Sequence, residues 1–153
     1  MTQTDEKEAF VERVGEFFSR IGHQRGAGRT VGWLLVCDPP HQSADELVQA
    51  TGQSKASVSI HLRLLTASGL VERIGVSGER RAFYRIRPAA WKNDLSAKLA
   101  QITELKQIAE SGLAALADSP PHVRDRLERM RDFYGFMERE LPAVIDKWLS
   151  ERT

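Results

Sequence analysis

Cysteine is almost missing from this chain. Cys37 is the only one in 153 residues, so no internal disulfide can form, and the composition suits a reducing compartment. Long apolar runs are missing too. The best of them, VGWLLVC at residues 31–37, falls far short of the ~20 residues that a spanning helix needs. The start, MTQTDEKEAF, is acidic and has no apolar signal core. These absences predict a cytoplasmic protein with no membrane insertion. Catalytic patterns are equally scarce. There is no G-x-S-x-G turn, and His23, His41, His61 and His122 show neither His-Glu-x-x-His nor paired-cysteine spacing. The glycines of HQRGAGRT, residues 23–30, lack the Lys-Ser/Thr pair of a phosphate loop and follow no strand. No enzyme and no cofactor is expected. Two sensing alternatives stay open: a metal site from His23, His41 and Cys37, and an oxidant-sensitive Cys37. Against the second, Cys37 ends an apolar helix, where a buried inert thiol is the simpler reading.

Net charge is only +1, but its distribution is uneven. Residues 54–92 hold eight Lys/Arg against two Glu, a local +6, while the rest holds 14 basic and 19 acidic residues, or −5. A nucleic-acid footprint is local in this way, because phosphates attract only the patch that touches them. A solvated charged face is the plain alternative.

The organisation is mostly helical. Residues 6–22 place Phe10, Val14, Phe17, Phe18 and Ile21 on one stripe, more Phe than a short terminal helix needs for itself. Residues 23–30 read as a loop feeding an apolar helix over 29–37, stopped by Asp38-Pro39-Pro40. SADELVQATG, residues 43–52, carries Ser43 as N-cap with Glu46 three residues on, a capping-box pattern ended by Gly52. Ser54 then caps QSKASVSIHLRLLTASG, which ends at Ser68-Gly69. Two short helices around a Gly-containing turn make a helix-turn-helix. Val71, Ile74 and Val76, then Phe83, Tyr84 and Ile86, flank a Ser77-Gly78-Glu79-Arg80 turn and predict a β-hairpin. From Ala89 a helix carrying Trp91, Leu95 and Leu99 runs to about Ala117. After DSPP, a last helix repeats Val123, Leu127, Met130, Tyr134, Met137, Leu141, Ile145 and Trp148 as a near-heptad seam for helix pairing. Pro142 should kink this helix without ending it. The expected fold is mainly α with a small β-hairpin wing. A terminal dimerisation helix (6–22) precedes a winged helix-turn-helix lobe (26–88), and a helical dimerisation region (89–153) follows it.

On the second helix of the motif, Val58, Leu62 and Leu65 share one face, and Ala56, Ile60 and Arg63 share the opposite one. An outward Ile and Ala make sense in a major groove, where Ala56 permits close approach and Ile60 meets a thymine methyl. Ser57 and Ser59 suit bases or phosphates, and Arg63 suits guanine or a phosphate. Ser54 and Lys55 sit at the anion-favouring helix start. Packing on a neighbouring helix is the alternative for Ile60 and, more so, for Leu64. His61, on the edge of the inner face, suits a packed histidine or a DNA contact equally. Arg80 and Arg81 at the hairpin tip suit the negative potential of a narrow minor groove, with Glu79 orienting one of them. A winged helix used only for protein contacts is the rival, but the serine-rich outer face and basic wing argue against it.

SKASVSIHLRLLTASGLVERI and the wing GERRAFYRI resemble the MarR family of winged-helix repressors, and Glu79-Arg80-Arg81 fits that family's acidic residue before a basic pair. GRTVGWLLVCDPPHQSADEL and ALADSPPHVRDRLERMRDFYGFME resemble its GbsR-type branch and repressors of lipid and drug efflux pumps. The resemblance implies a homodimer with paired terminal helices, double-stranded DNA with a pseudo-palindromic operator as partner, and a ligand pocket between dimerisation helices and DNA-binding lobe. With the surplus of aromatic residues, it points to an apolar small molecule or lipid as effector, taken up by Phe17, Phe18, Trp33, Trp91 and Leu95. Those residues filling a dimer core is the plainer role. A choline-like cation is the rival ligand, because aromatic rings also cage quaternary ammonium.

Overall fold

The computed structural model describes residues 1–152. Six helices and one hairpin follow in the order α1 (Gln3–Arg20), α2 (Arg25–Val36), α3 (Ala44–Thr51), α4 (Lys55–Ala67), β1 (Val71–Ile74), β2 (Phe83–Ile86), α5 (Ala90–Ala115) and α6 (Pro121–Glu151). They form two compact units that meet within α5, Met1–Asn93 and the chain from Asp94 onward.

In the first unit α1 begins where Thr2 and Asp5 cap each other: Thr2 Oγ1 accepts from the Asp5 amide, and the Asp5 carboxylate accepts from the Thr2 amide. Its aromatic stripe divides. Val11 and Gly15 are buried with Val14 and Phe18 partly so, while Phe10, Phe17 and Ile21 stay exposed. The inward set packs on α2, which starts at Arg25, four residues before the expected position. The glycines read as a loop are helical, because a close crossing needs them. A Cβ at Gly28 would lie 2.7 Å from Phe18 Cβ, and one at Gly32 would lie 3.1 Å from Val11 Cα.

Val31, Leu34, Cys37, Leu47, Val58, Leu62, Leu65 and Val71 form the core shared by α2, α3, α4 and β1. Ser43 Oγ accepts from the Glu46 amide, and Gly52, at φ +68°, ends α3 in the left-handed region that glycine favours. The hairpin pairs Val71 with Ile86, Glu72 with Arg85, Arg73 with Tyr84 and Ile74 with Phe83. Tyr84 also exchanges both backbone hydrogen bonds with Gln42, which ties the hairpin to the segment before α3. The strands end earlier than the apolar pattern suggested, so Val76 lies in a loop. Its turn runs over residues 76–79, with Glu79 N donating to Val76 O and Gly78 at φ +83° in the third position.

In the second unit α5 and α6 run antiparallel. Leu127 packs over Gly112, Lys106 Nζ lies 3.0 Å from Glu138 Oε1, and Arg124 Nη1 donates to the carbonyl of Leu116 near the end of α5. The helix continues through Pro142. Ala109, Leu113 and Gly135 are buried, and the seam from Val123 to Ile145 is half-buried. Ile108, Phe133, Phe136, Val144 and Trp148 remain exposed.

Candidate nucleic-acid interface

Helix α4 starts at Ser54, whose Oγ accepts from the Ser57 amide and donates to Ser57 Oγ. That bond orients Ser57, which is half-buried. Val58, Leu62 and Leu65 point into the core, and Lys55, Ala56, Ser59, Ile60, Arg63 and Leu64 are exposed on the other side. Ile60 is 54% exposed and Leu64 55%, so within the first unit neither is covered by a neighbouring helix, and Leu64 joins the outward face where packing had been expected.

His61 is the correction. It is 8% exposed, its ring lies against Gly26, and its Nδ1 is 2.7 Å from Gln53 Oε1. Gln53 Nε2 donates in turn to Thr30 Oγ1 and Thr51 Oγ1. The imidazole is therefore part of a buried polar network joining α2, the turn and α4, and it is not on the groove-facing surface. Burial holds its pKa below the ordinary 6.5, favouring the neutral ring.

The arginines of the basic segment sort by their partners. On the outer hairpin face Arg85 and Arg87 reach the two oxygens of Glu72, at 2.7 and 3.5 Å. The hydrogen bond from Arg85 is the main reason the Glu72 carboxyl sits below its usual range. On the wing Arg81 lies 3.5 Å from Glu79, 3.6 Å from Glu46 and over the Phe83 ring. Lys55, Arg63, Arg73 and Arg80 have no ion pair among the described residues, and all are exposed. Arg63 and Arg73 line a cleft of about 540 Å³ between α4 and the hairpin. Arg73 was not among the residues picked from the sequence. Its signal was the period-two alternation of VERI, which puts Arg73 on the same strand face as core residue Val71.

Four of the five effector candidates, Phe17, Phe18, Trp33 and Trp91, lie in the first unit. Phe18 packs on Gly28, Phe17 is exposed beneath Arg20, and Trp33 Nε1 donates to Gln42 Oε1. Trp33 borders a cleft of about 480 Å³ with Glu8, Asp45 and Glu46. Trp91 is exposed, and Leu95 belongs to the second unit. His23 meets the Phe18 ring at a tilt, His41 meets Phe83 edge-on, and Cys37 lies in the core; no group of three or more His, Cys, Asp or Glu able to hold a metal occurs among the described residues. Burial pushes the Cys37 thiol pKa up, away from the reactive thiolate. No helix among the described residues is long and apolar enough to cross a membrane.

Comparison with known proteins agrees with this architecture. Residues 89–151 match the MmpR5-like MarR family transcriptional regulators, and residues 24–82 match the MarR family. The chain is 40% identical over 144 residues to the HTH-type transcriptional regulator MmpR5 of Mycobacterium tuberculosis (strain ATCC 25618 / H37Rv), covering 94% of this chain and 87% of the relative. A crystal structure of a transcriptional regulator is 37% identical, covers 95% of this chain and 99% of its own, and superposes with a TM-score of 0.82. A helix-turn-helix with an outward polar face, a basic hairpin behind it and this identity over nearly the whole length have one consistent meaning: the chain belongs to the MarR family of transcriptional regulators.

Proposed function

We propose that the protein acts as a homodimeric repressor on a pseudo-palindromic operator, with α4 in the major groove and the wing at the minor groove. The observation that carries this is the outward face of α4. Ile60 and Leu64 are exposed there beside Ser59 and Arg63, and the cations Lys55, Arg63 and Arg80 have no ion pair among the described residues. In the groove Ser59 and Arg63 contact base edges or phosphates, Ile60 meets a thymine methyl, and Ser54, Lys55 and Ala56 sit where the helix N-terminus favours a phosphate. Arg80 extends from the wing, and Arg81 joins it by exchanging carboxylate partners for DNA. The exposed apolar side chains of α6 support a second copy as partner, and two copies place two recognition helices about one turn of DNA apart. The test is operator binding against salt. Several phosphate contacts make log K fall linearly with log salt at a slope of about −0.9 per contact. A flat slope removes DNA from the function.

The regulated genes in this reading serve efflux or small-molecule stress, and an apolar ligand releases the operator. Exposed Phe10, Phe17 and Trp91 support the ligand class. A ligand shifts the DNA-binding equilibrium only by as much as it prefers the non-binding arrangement, and DNA must weaken its binding by the same factor. Titrating fatty-acid glycerides and choline against a fluorescent operator complex separates the two ligand classes. Binding of both without release of DNA removes ligand control from the function.

A further inference from the structure

We propose that the cleft between α4 and the hairpin is a subsite for one phosphate of the DNA backbone, and that Arg73 is the residue that clamps it. The inference rests on the DNA-binding reading and adds to it a residue and a position. Side chains along β1 point to alternate faces of the hairpin. Val71 faces the core, and Arg73, two residues on, shares that face, with Tyr84 directly across the ladder. An apolar residue there would extend the core. Instead Arg73 is exposed and has no ion pair among the described residues.

The opposite face of the same strands makes the contrast. Glu72 takes both Arg85 and Arg87, so the arginines of that face already share a carboxylate partner. The cleft, about 540 Å³, has Arg63 on its helical wall and Arg73 on its strand wall. Ser59, Thr66 and Tyr84 add polar atoms, and no carboxylate lines it. Ser59, Arg63 and Thr66 follow one another at helical spacing along α4, so the polar wall runs beside the surface that enters the groove. A helix in a major groove is flanked by the two sugar-phosphate strands. A site with two guanidinium groups and hydroxyls, placed beside the helix on the hairpin side, meets one of those strands. Backbone phosphates carry no base identity, so Arg73 contributes to affinity and register, and sequence preference comes from elsewhere.

The experiment compares the full-length protein with Arg73→Ala and Arg73→Lys, on an operator duplex and a random duplex, across a salt series. Circular dichroism confirms that each variant is folded. Arg73→Ala should weaken both duplexes about equally, by roughly tenfold, and reduce the salt slope by about one. Arg73→Lys should recover part of the loss, because a lysine still binds a phosphate as a point charge. An unchanged slope in Arg73→Ala overturns the proposal, as does a loss confined to the operator or a Lys variant as weak as the Ala variant. A steep wild-type slope accompanying any of these leaves the DNA-binding reading intact. A flat wild-type slope sinks that reading first.

Discussion

The two units of this chain bury their apolar residues in different ways. The first closes a core within one chain: Leu47 and Val58 are fully buried, and Leu62, Leu65 and Val71 nearly so. Among the described residues the second buries only Ala109, Leu113 and Gly135 and leaves Phe133, Phe136, Val144 and Trp148 exposed. An exposed apolar side chain on a long helix gains from a partner, because about 25 cal/mol follow each Å² of apolar surface removed from water. The difference teaches how the proposed repressor divides its labour: the first unit, whose core closes on itself, would shape the DNA-reading surface, and the second, with apolar side chains left exposed, would join two copies.

The most forceful way to break that comparison is to remove α6. Truncation after Asp118 should abolish the dimer and lower operator affinity by roughly 10²-fold or more, since two linked half-site contacts become two separate ones. Sedimentation and operator titration check both. A truncated monomer that binds the palindrome as tightly as the full chain would refute the division. Leu47→Ala should cost about 2–5 kcal/mol in a denaturant melt, as a cavity at a fully buried site. Phe136→Ser should leave that melt nearly unchanged at low protein concentration and raise the dimer dissociation constant. The reverse pattern would exchange the roles of the units. Gly28→Ala should destabilise the first unit by about 1–3 kcal/mol, because its methyl meets the Phe18 side chain, and should not alter dimer dissociation.

The smallest effect is a pH dependence confined to the first unit. The pKa of His61 is lower folded than unfolded, so the unfolded state binds more protons in that window. Its contribution to stability is fully present above the unfolded value of about 6.5 and is lost as pH falls towards the folded value. Melts from pH 7.5 to 5 should show this decline in wild type and a shallower one in His61→Gln. Equal slopes would mean that the Gln53–His61 network does not sense protons.

Sequence alone carried a long way along the helix-turn-helix. Ser43 and Ser54 announced their helices because a hydroxyl before an apolar periodicity satisfies otherwise unpaired amides, and that chemistry is local. The inward trio Val58, Leu62 and Leu65 and the outward Ile60 and Arg63 followed from the 3.6-residue period. Four features needed the tertiary structure. Gly26 and Gly28 read as part of a loop, since helix propensity disfavours glycine, and only the packing of α2 on its neighbours explains them. His61 lay at the border of the two faces, where periodicity cannot decide, and Gln53 and Gly26 drew it inward. The basic residues looked alike in sequence until distance separated those held by Glu72, Glu79 and Glu46 from the exposed Lys55, Arg63, Arg73 and Arg80. What covers the aromatic residues also waited for packing: Phe18 lies on Gly28, and Trp33 Nε1 donates to Gln42 Oε1. Periodicity and capping are properties of neighbours along the chain and can be read from its order. Which charge is neutralised and which ring is covered depend on residues far apart in sequence, and only packing brings those together.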